Sequence, residues 1–269
     1  MSGKRVVLVT GASSGIGREI ARVLAENGFE VFGSVRKPDA GDSAKNFAEV
    51  RMDVTDGESV IQAVSTVLER AGRIDVLINN AGYGLMGALE ETSVLEAQQL
   101  FDVNFFGVMR VTGAVLPTMR RQKQGRIVNV SSLMGVVPAP FLGVYAASKH
   151  ALECYTETLD HEVRNLGIRA LLVEPGFTKT NFEMNGKYAA LSLDAYESRR
   201  KRVAVLMKGQ FAKGAEAAAV AAVVLRAATD ASPRLRYRLP GGATLSRLRR
   251  FAPEKLFAWG IRRQLQLDK

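Results

Sequence analysis

Cysteine is almost missing from the 269-residue chain, with Cys154 its single example. No internal disulfide can form, so core packing must hold the fold, and the usage fits a reducing compartment. The chain has only two histidines, His150 and His161, and no set of residues stands at metal-ligand spacing. His150 projects from a different helical face than its neighbour Lys149, which marks it as helix surface or interface and not as a base. Long hydrophobic runs are lacking too: no stretch approaches the roughly 20 apolar residues of a membrane-spanning helix. The first apolar run, Val6–Val9, is too short for a signal-peptide core and leads straight into glycine. The expected location is cytoplasmic.

What is present fits one soluble α/β domain with a full core. The net charge of +10 is lopsided. From Ser232 onward ten basic residues face two acids, a net +8, whereas the remainder is nearly neutral with 27 basic and 25 acidic residues. No nucleic-acid-reading module accompanies this charge, so it belongs to the tail.

KRVVLVT, GASSGIG and REIARVLAENG read as strand, turn and helix. Val6 to Val9 form the continuous apolar run of a strand buried on both faces. Ile20, Val23 and Leu24 recur at helical spacing, and Gly28 ends the helix. Between them stand Gly11, Gly15 and Gly17, where backbone can approach a pyrophosphate closely and a helix N-terminus offers free N–H groups. Ser13, Ser14 and Ile16 complete this turn, the serines as hydroxyl donors. The second strand, Phe29 to Val35, ends where an adenosine ribose would lie. A carboxylate there would select a free 2′-hydroxyl, but this chain has Val35 followed by Arg36, a guanidinium suited to a 2′-phosphate. NADP(H) is the expected cofactor. Asp53 and Val54 follow another short apolar segment, and the Asp53 carboxylate could accept from the adenine amino group. A fourth strand, Val76 to Ile78, runs into Asn79, Asn80, Ala81 and Gly82. Strands alternating with helices predict a doubly wound parallel sheet with its ligand at the carboxyl edge. Each of these segments sits at a strand's carboxyl end.

Tyr145 and Lys149, in VYAASKHALECYTETL, stand one helical turn apart, with Ser132 thirteen residues before the tyrosine. A cation beside a phenol favours the phenolate. A shift of roughly three units would be worth about 4 kcal/mol, and would bring the tyrosine towards operating pH as an acid–base catalyst for an alcohol or ketone.

With TGASSGIG, the D-V pair at Asp53, NNAG, DVNFFG, GRIVNVSS, YAASK and PGFTKT in order, the chain resembles the short-chain dehydrogenase/reductase family, closely over residues 4 to 180 and more loosely to about 240. SSLMG, VYAASKHAL and the basic end are similar to its 17β-hydroxysteroid and retinol dehydrogenase-like branch. The resemblance implies a single Rossmann-like domain over residues 1–242. It implies a catalytic tetrad in which Asn104 holds a relay water and Ser132 hydrogen-bonds the substrate oxygen. Tyr145 then moves the proton, while Lys149 lowers its pKa and binds the nicotinamide ribose. It further places Asn80, Ala81 and Gly82 beneath the adenosine ribose, and Pro175, Gly176, Thr178 and Thr180 around the nicotinamide.

Met86, Leu133, Met134, Val137, Phe141, Leu142, Phe177, Phe182 and Met184 are candidate walls of a pocket for a bulky apolar alcohol or ketone. Residues 181–211, without a strong period, are the expected lid. Residues 243–269 form a basic extension of two helical pieces, near Ala243–Phe251 and Pro253–Gln264, for which packing on the lid, an oligomer contact and attachment to an anionic membrane surface compete. Leu152, Tyr155, Leu159 and Val163 give the Tyr145 helix an apolar stripe that serves either a homodimer or the core. Two other functions compete with the reductase: a redox-sensing regulator that binds dinucleotide without turnover, and an epimerase or dehydratase. The complete tetrad opposes the first, and the glycine spacing and chain length oppose the second.

Overall fold

The computed structural model describes residues 3–38, 46–179, 187–239 and 242–267, without the side chains of residues 242, 243 and 247. Seven strands form one sheet: β1 (Val6–Val9), β2 (Glu30–Val35), β3 (Ala48–Arg51), β4 (Val76–Asn79), β5 (Gly125–Val130), β6 (Ile168–Glu174) and β7 (Arg236–Arg238). Their spatial order is β7-β6-β5-β4-β1-β2-β3, and every pairing is parallel. The chain reverses its direction of winding between β1 and β4, which opens a crevice at the carboxyl edge there. Fold and architecture are those expected, a single α/β domain with helices on both faces.

Side-chain alternation along each strand builds the two core layers. Val7 and Val9 join Ile20 and Leu24 of helix α1 (Gly15–Glu26) in one layer, with Val76, Ile78, Val128, Leu171, Val220 and Val224. Val6 and Leu8 point the other way, onto Val60, Val64 and Val67 of α2 (Gly57–Ala71). The continuous helical run Val94–Gln122 is long and apolar enough to cross a membrane by composition. It comprises α3 (Val94–Phe101), a π-turn over Asp102–Phe106 and α4 (Gly107–Gln122). Val111, Val115 and Met119 of α4 are fully buried in the second core layer, so packing accounts for the composition.

Helix α5 (Gly143–Val163) turns an unusually polar face inward. Tyr145, Ser148, Lys149, Glu153, Thr156 and Asp160 are buried along with Leu152, Leu159 and Val163. The last three belong to the core, and Tyr155, half-buried, packs against it. The segment expected as an aperiodic lid is in large part a regular helix, α6 (Asp194–Ala212). Of its residues only Val203 and Met207, one turn apart, are fully buried, so the sequence carries too short an apolar stripe to show a period. The chain continues through α7 (Ala217–Thr229), α8 (Gly242–Phe251) and α9 (Glu254–Gln264). Leu265 and Leu267, just past α9, pack on Val203, Met207 and Leu142.

Candidate active site

A cavity of about 940 Å³ runs along the carboxyl edge of the sheet. One end is polar backbone and the other apolar side chain. Gly11, Ser13, Ser14, Gly15, Ile16, Gly17, Arg36, Asp53, Val54, Asn80, Ala81 and Gly82 line the first end. Ser132, Tyr145, Lys149, Pro175, Gly176 and Thr178 stand at the junction between the ends. Thr180 lies outside the described residues, as do Phe182 and Met184.

The glycine turn is built so that backbone, not side chain, faces the cavity. Gly11 and Gly15 adopt φ of +69° and +57°, the left-handed region that other residues rarely take. A Cβ on Gly17 would stand 2.1 Å from the Gly11 carbonyl oxygen and 2.4 Å from Asn80 Nδ2. Ser14 occupies the N-cap of α1 without a capping side-chain bond, and the first turn carries no acid. This is a fit for an anion: unsatisfied N–H groups, a positive helix end and no competing carboxylate. Thr10, the first residue of TGASSGIG, locks the turn to the neighbouring strand end. Its hydroxyl accepts from the backbone N–H groups of Asn80 (2.9 Å) and Ala81 (3.0 Å), while Asn80 Nδ2 donates to the Thr10 carbonyl (3.0 Å).

Arg36 is exposed at the end of β2. Its charge helps to hold the Asp53 carboxyl below the usual range, although the larger causes are the backbone N–H and hydroxyl of Thr55, which donate to Asp53 Oδ1 at 2.9 and 2.7 Å. Asn79 faces away from the cavity and serves the framework, donating to Asn129 Oδ1 (2.8 Å) and Thr112 Oγ1 (3.1 Å).

At the junction, Tyr145 is buried with the Ser132 hydroxyl as its hydrogen-bond partner. Ser132 also accepts from the Met134 N–H at 3.1 Å, which fixes its rotamer. Lys149 Nζ donates to the Val130 carbonyl at 2.9 Å and lies 5.9 Å from the centre of the Tyr145 ring. The expected lowering of the phenol pKa by Lys149 needs correction. Burial dominates and pushes Tyr145 up to about 12, against a smaller downward pull from Ser132. Burial likewise brings Lys149 down to about 8, partly offset by the Glu153 carboxylate one turn further on. Helical spacing brings the two groups together, but desolvation of both sets the balance.

Asn104 does not line the cavity. It is fully buried on the π-turn, where its side-chain amide exchanges hydrogen bonds with the Tyr83 backbone (3.0 Å each way) and donates to Ser148 Oγ (3.2 Å). Ser148 in turn donates to the Tyr145 carbonyl at 2.7 Å. The amide expected to hold a relay water is thus committed to joining the segment after Gly82 to the turn of α5 that carries the tyrosine.

The apolar end contains Met86, Leu133, Met134, Val137, Leu142 and Phe177 as expected. Phe141 is not among the lining residues; with φ of +64° it packs edge-on against Tyr196, with ring centres 6.5 Å apart. Sequence reasoning missed Met207 and Phe211 of α6, Leu245 of α8, and Ile261 and Leu265 of the last helical segment. The helical period of the tail was the available signal, but it does not say where the tail folds back.

A sequence profile described as short chain dehydrogenase matches residues 5–189. The chain is 44% identical over 191 residues to a 3-ketodihydrosphingosine reductase of Bacteroides thetaiotaomicron, covering 70% of this chain and 69% of that one. It is 42% identical over 191 residues to retinol dehydrogenase 8 of Bos taurus, covering 66% of this chain and 61% of the relative. Among solved structures, a short chain dehydrogenase/reductase from Burkholderia phymatum in complex with NAD superposes with a TM-score of 0.79 at 28% identity, covering 92% of this chain and 93% of that one.

Proposed function

The chain belongs to the short-chain dehydrogenase/reductase family and is an oxidoreductase whose fold binds a nicotinamide dinucleotide, and on that premise we propose that it is an NADP(H)-dependent reductase of apolar ketones with Tyr145 as its acid. One observation carries this reading. Ser132, Tyr145 and Lys149 converge where the polar end of the cavity meets the apolar end. A carbonyl seated there has its carbon chain among Met134, Leu142 and Phe177 and its oxygen at two hydroxyl donors.

When bound, the nicotinamide supplies the hydride, and the protein supplies everything around it. The glycine turn from Gly11 to Gly17 holds the pyrophosphate. Arg36 pairs with the 2′-phosphate, and Asp53 and Val54 border the adenine. Asn80, Ala81 and Gly82 support the adenosine ribose, while Pro175, Gly176 and Thr178 flank the nicotinamide side. Ser132 and Tyr145 donate to the oxygen as negative charge develops on it, in a site dry enough to strengthen both bonds. Tyr145 then gives up its proton. A phenol pushed up to about 12 is fully protonated at neutral pH, as an acid for reduction must be. The Lys149 ammonium stabilises the phenolate left behind. Asn104 acts as a positioning residue through Tyr83 and Ser148. The lipid-like substrates in the two relatives' names agree with the apolar end.

The structural neighbour carries NAD, so the choice of the phosphorylated cofactor rests on Arg36. Binding of NADPH and NADH, followed by nicotinamide fluorescence on wild type and Arg36→Ala, tests it. Loss of a charge-assisted pair should weaken NADPH by about 10- to 100-fold and leave NADH unchanged. Equal affinity for both cofactors, insensitive to Arg36, would refute the NADP(H) assignment.

A further inference from the structure

Helix α9 is apolar on two sides. Inward, Ile261 and the adjoining Leu265 line the apolar end of the cavity. Outward, Leu256 is 57% and Trp259 54% exposed, and on the preceding helix Leu248 and Phe251 are 51% and 77% exposed. A helix that only covers a core needs one apolar stripe, and four large apolar side chains exposed within twelve residues form a patch that solvent alone does not explain.

The same surface is strongly basic. Across residues 242–267 six arginines and lysines face one acid, Glu254. Cations lie on the aromatic rings: Arg263 is 5.0 Å from the Trp259 ring centre, Arg250 is 6.0 Å from that of Phe251, and Arg249 is 5.3 Å from that of Phe257. Apolar and aromatic side chains between exposed guanidinium groups suit a boundary that is apolar below and anionic above. A second copy of this chain is a poor occupant, because it would set this positive surface against its equal.

We propose that the outer face of α8 and α9 docks on an anionic phospholipid bilayer, with Phe251, Leu256 and Trp259 entering the interface and Arg249, Arg262 and Arg263 at the headgroups. Because the inner face of the same helices walls the cavity, docking would hold the apolar end of the cavity against the lipid. The docking itself is independent of the substrate reading.

Trp259 is the only tryptophan of the chain, so its emission reports on this surface without labelling. Full-length protein is titrated with vesicles of phosphatidylcholine, with and without phosphatidylglycerol, and floated on a density gradient. The expected result is a blue shift and flotation with phosphatidylglycerol vesicles, both weakened by added salt. Phe251→Ser/Leu256→Ser and Arg262→Glu/Arg263→Glu variants, checked for native circular dichroism, should each bind about tenfold more weakly or worse. NADPH binding by both should be unchanged, and that readout needs no vesicles. Wild type that stays at the bottom of the gradient without a blue shift would overturn the proposal. So would a Phe251→Ser/Leu256→Ser protein that floats like wild type, since the surface would then read charge alone. A dimer that hides Trp259 and dissociates in that variant, while vesicles leave wild type in solution, would replace the bilayer with self-association.

Discussion

The two ends of the cavity are made in different ways. The polar end consists of strand ends and the turns that follow them: β1 into Gly11–Gly17, β2 into Arg36, and β4 into Asn80–Gly82. Its parts are held by hydrogen bonds a residue or two from the sheet, such as those of Thr10 and Asn80. The apolar end is assembled from side chains of segments far apart in sequence, among them Met86, Leu142, Met207, Leu245 and Leu265, held by packing. Backbone geometry tolerates almost no added atom, whereas packed side chains can be exchanged for others of like volume. On the proposed function, holding of the cofactor therefore rests on the first kind of construction and substrate choice on the second.

This contrast is sharpened first at the junction. Tyr145→Phe removes the acid and leaves the ring, so reduction should fall by about 10³-fold while NADPH affinity is retained; steady-state rates and binding titrations on the same preparation check both. Second, Gly17→Ala adds one methyl at 2.1 Å from the Gly11 carbonyl oxygen. NADPH and NADH should both bind more weakly, by about tenfold or more, with a lower Tm. An alanine that bound both cofactors normally would break the claim that the polar end is intolerant. Third, Met207→Ala opens the buried apolar wall at a cost of about 2–3 kcal/mol in stability. It should raise KM for a bulky ketone more than it lowers kcat, whereas Met207→Leu should change either by little.

The smallest expected effects concern pH. Tyr145, pushed up to about 12, stays protonated across the working range. Lys149, brought down to about 8, is charged below that value and neutral above it. Reduction should therefore decline as pH rises through about 8. Glu153 raises the Lys149 pKa, so Glu153→Gln should move that decline to lower pH by a fraction of a unit, which a pH–rate profile at saturating NADPH resolves. A shift in the opposite direction would mean that Glu153 does not act on Lys149 by its charge.

The polar end was legible in the sequence because its signals are local. A run such as Val6–Val9, bounded by glycine, reads as a strand buried on both faces, and glycines between it and an amphipathic helix leave few conformations open. The order of the motifs along the chain then fixed the sheet. The apolar end was legible only in part. The α6 segment buries Val203 and Met207 within a single turn among RRKR charges, too little for a period. Leu245 and Ile261 belong to helices whose existence the sequence shows, but the return of this segment to the cavity goes with the packing of Leu265, just past α9, on the cluster of Leu142 and Met207. The Tyr145–Lys149 spacing showed proximity but not dehydration, which is why the direction of the phenol shift was reversed. The bonds of Asn104 to Tyr83 and Ser148 were not legible for a similar reason: they arise from the π-turn, which leaves no mark in a single sequence.

The most direct test of the account is oxidation of NADPH by the purified protein with a bulky apolar ketone, with a short polar keto acid as the control. The account predicts consumption of NADPH with the apolar ketone, little with the keto acid, and none above background with either when Tyr145 is phenylalanine. Tight cofactor binding without turnover of any ketone in an apolar panel, or unchanged turnover in Tyr145→Phe, would contradict it.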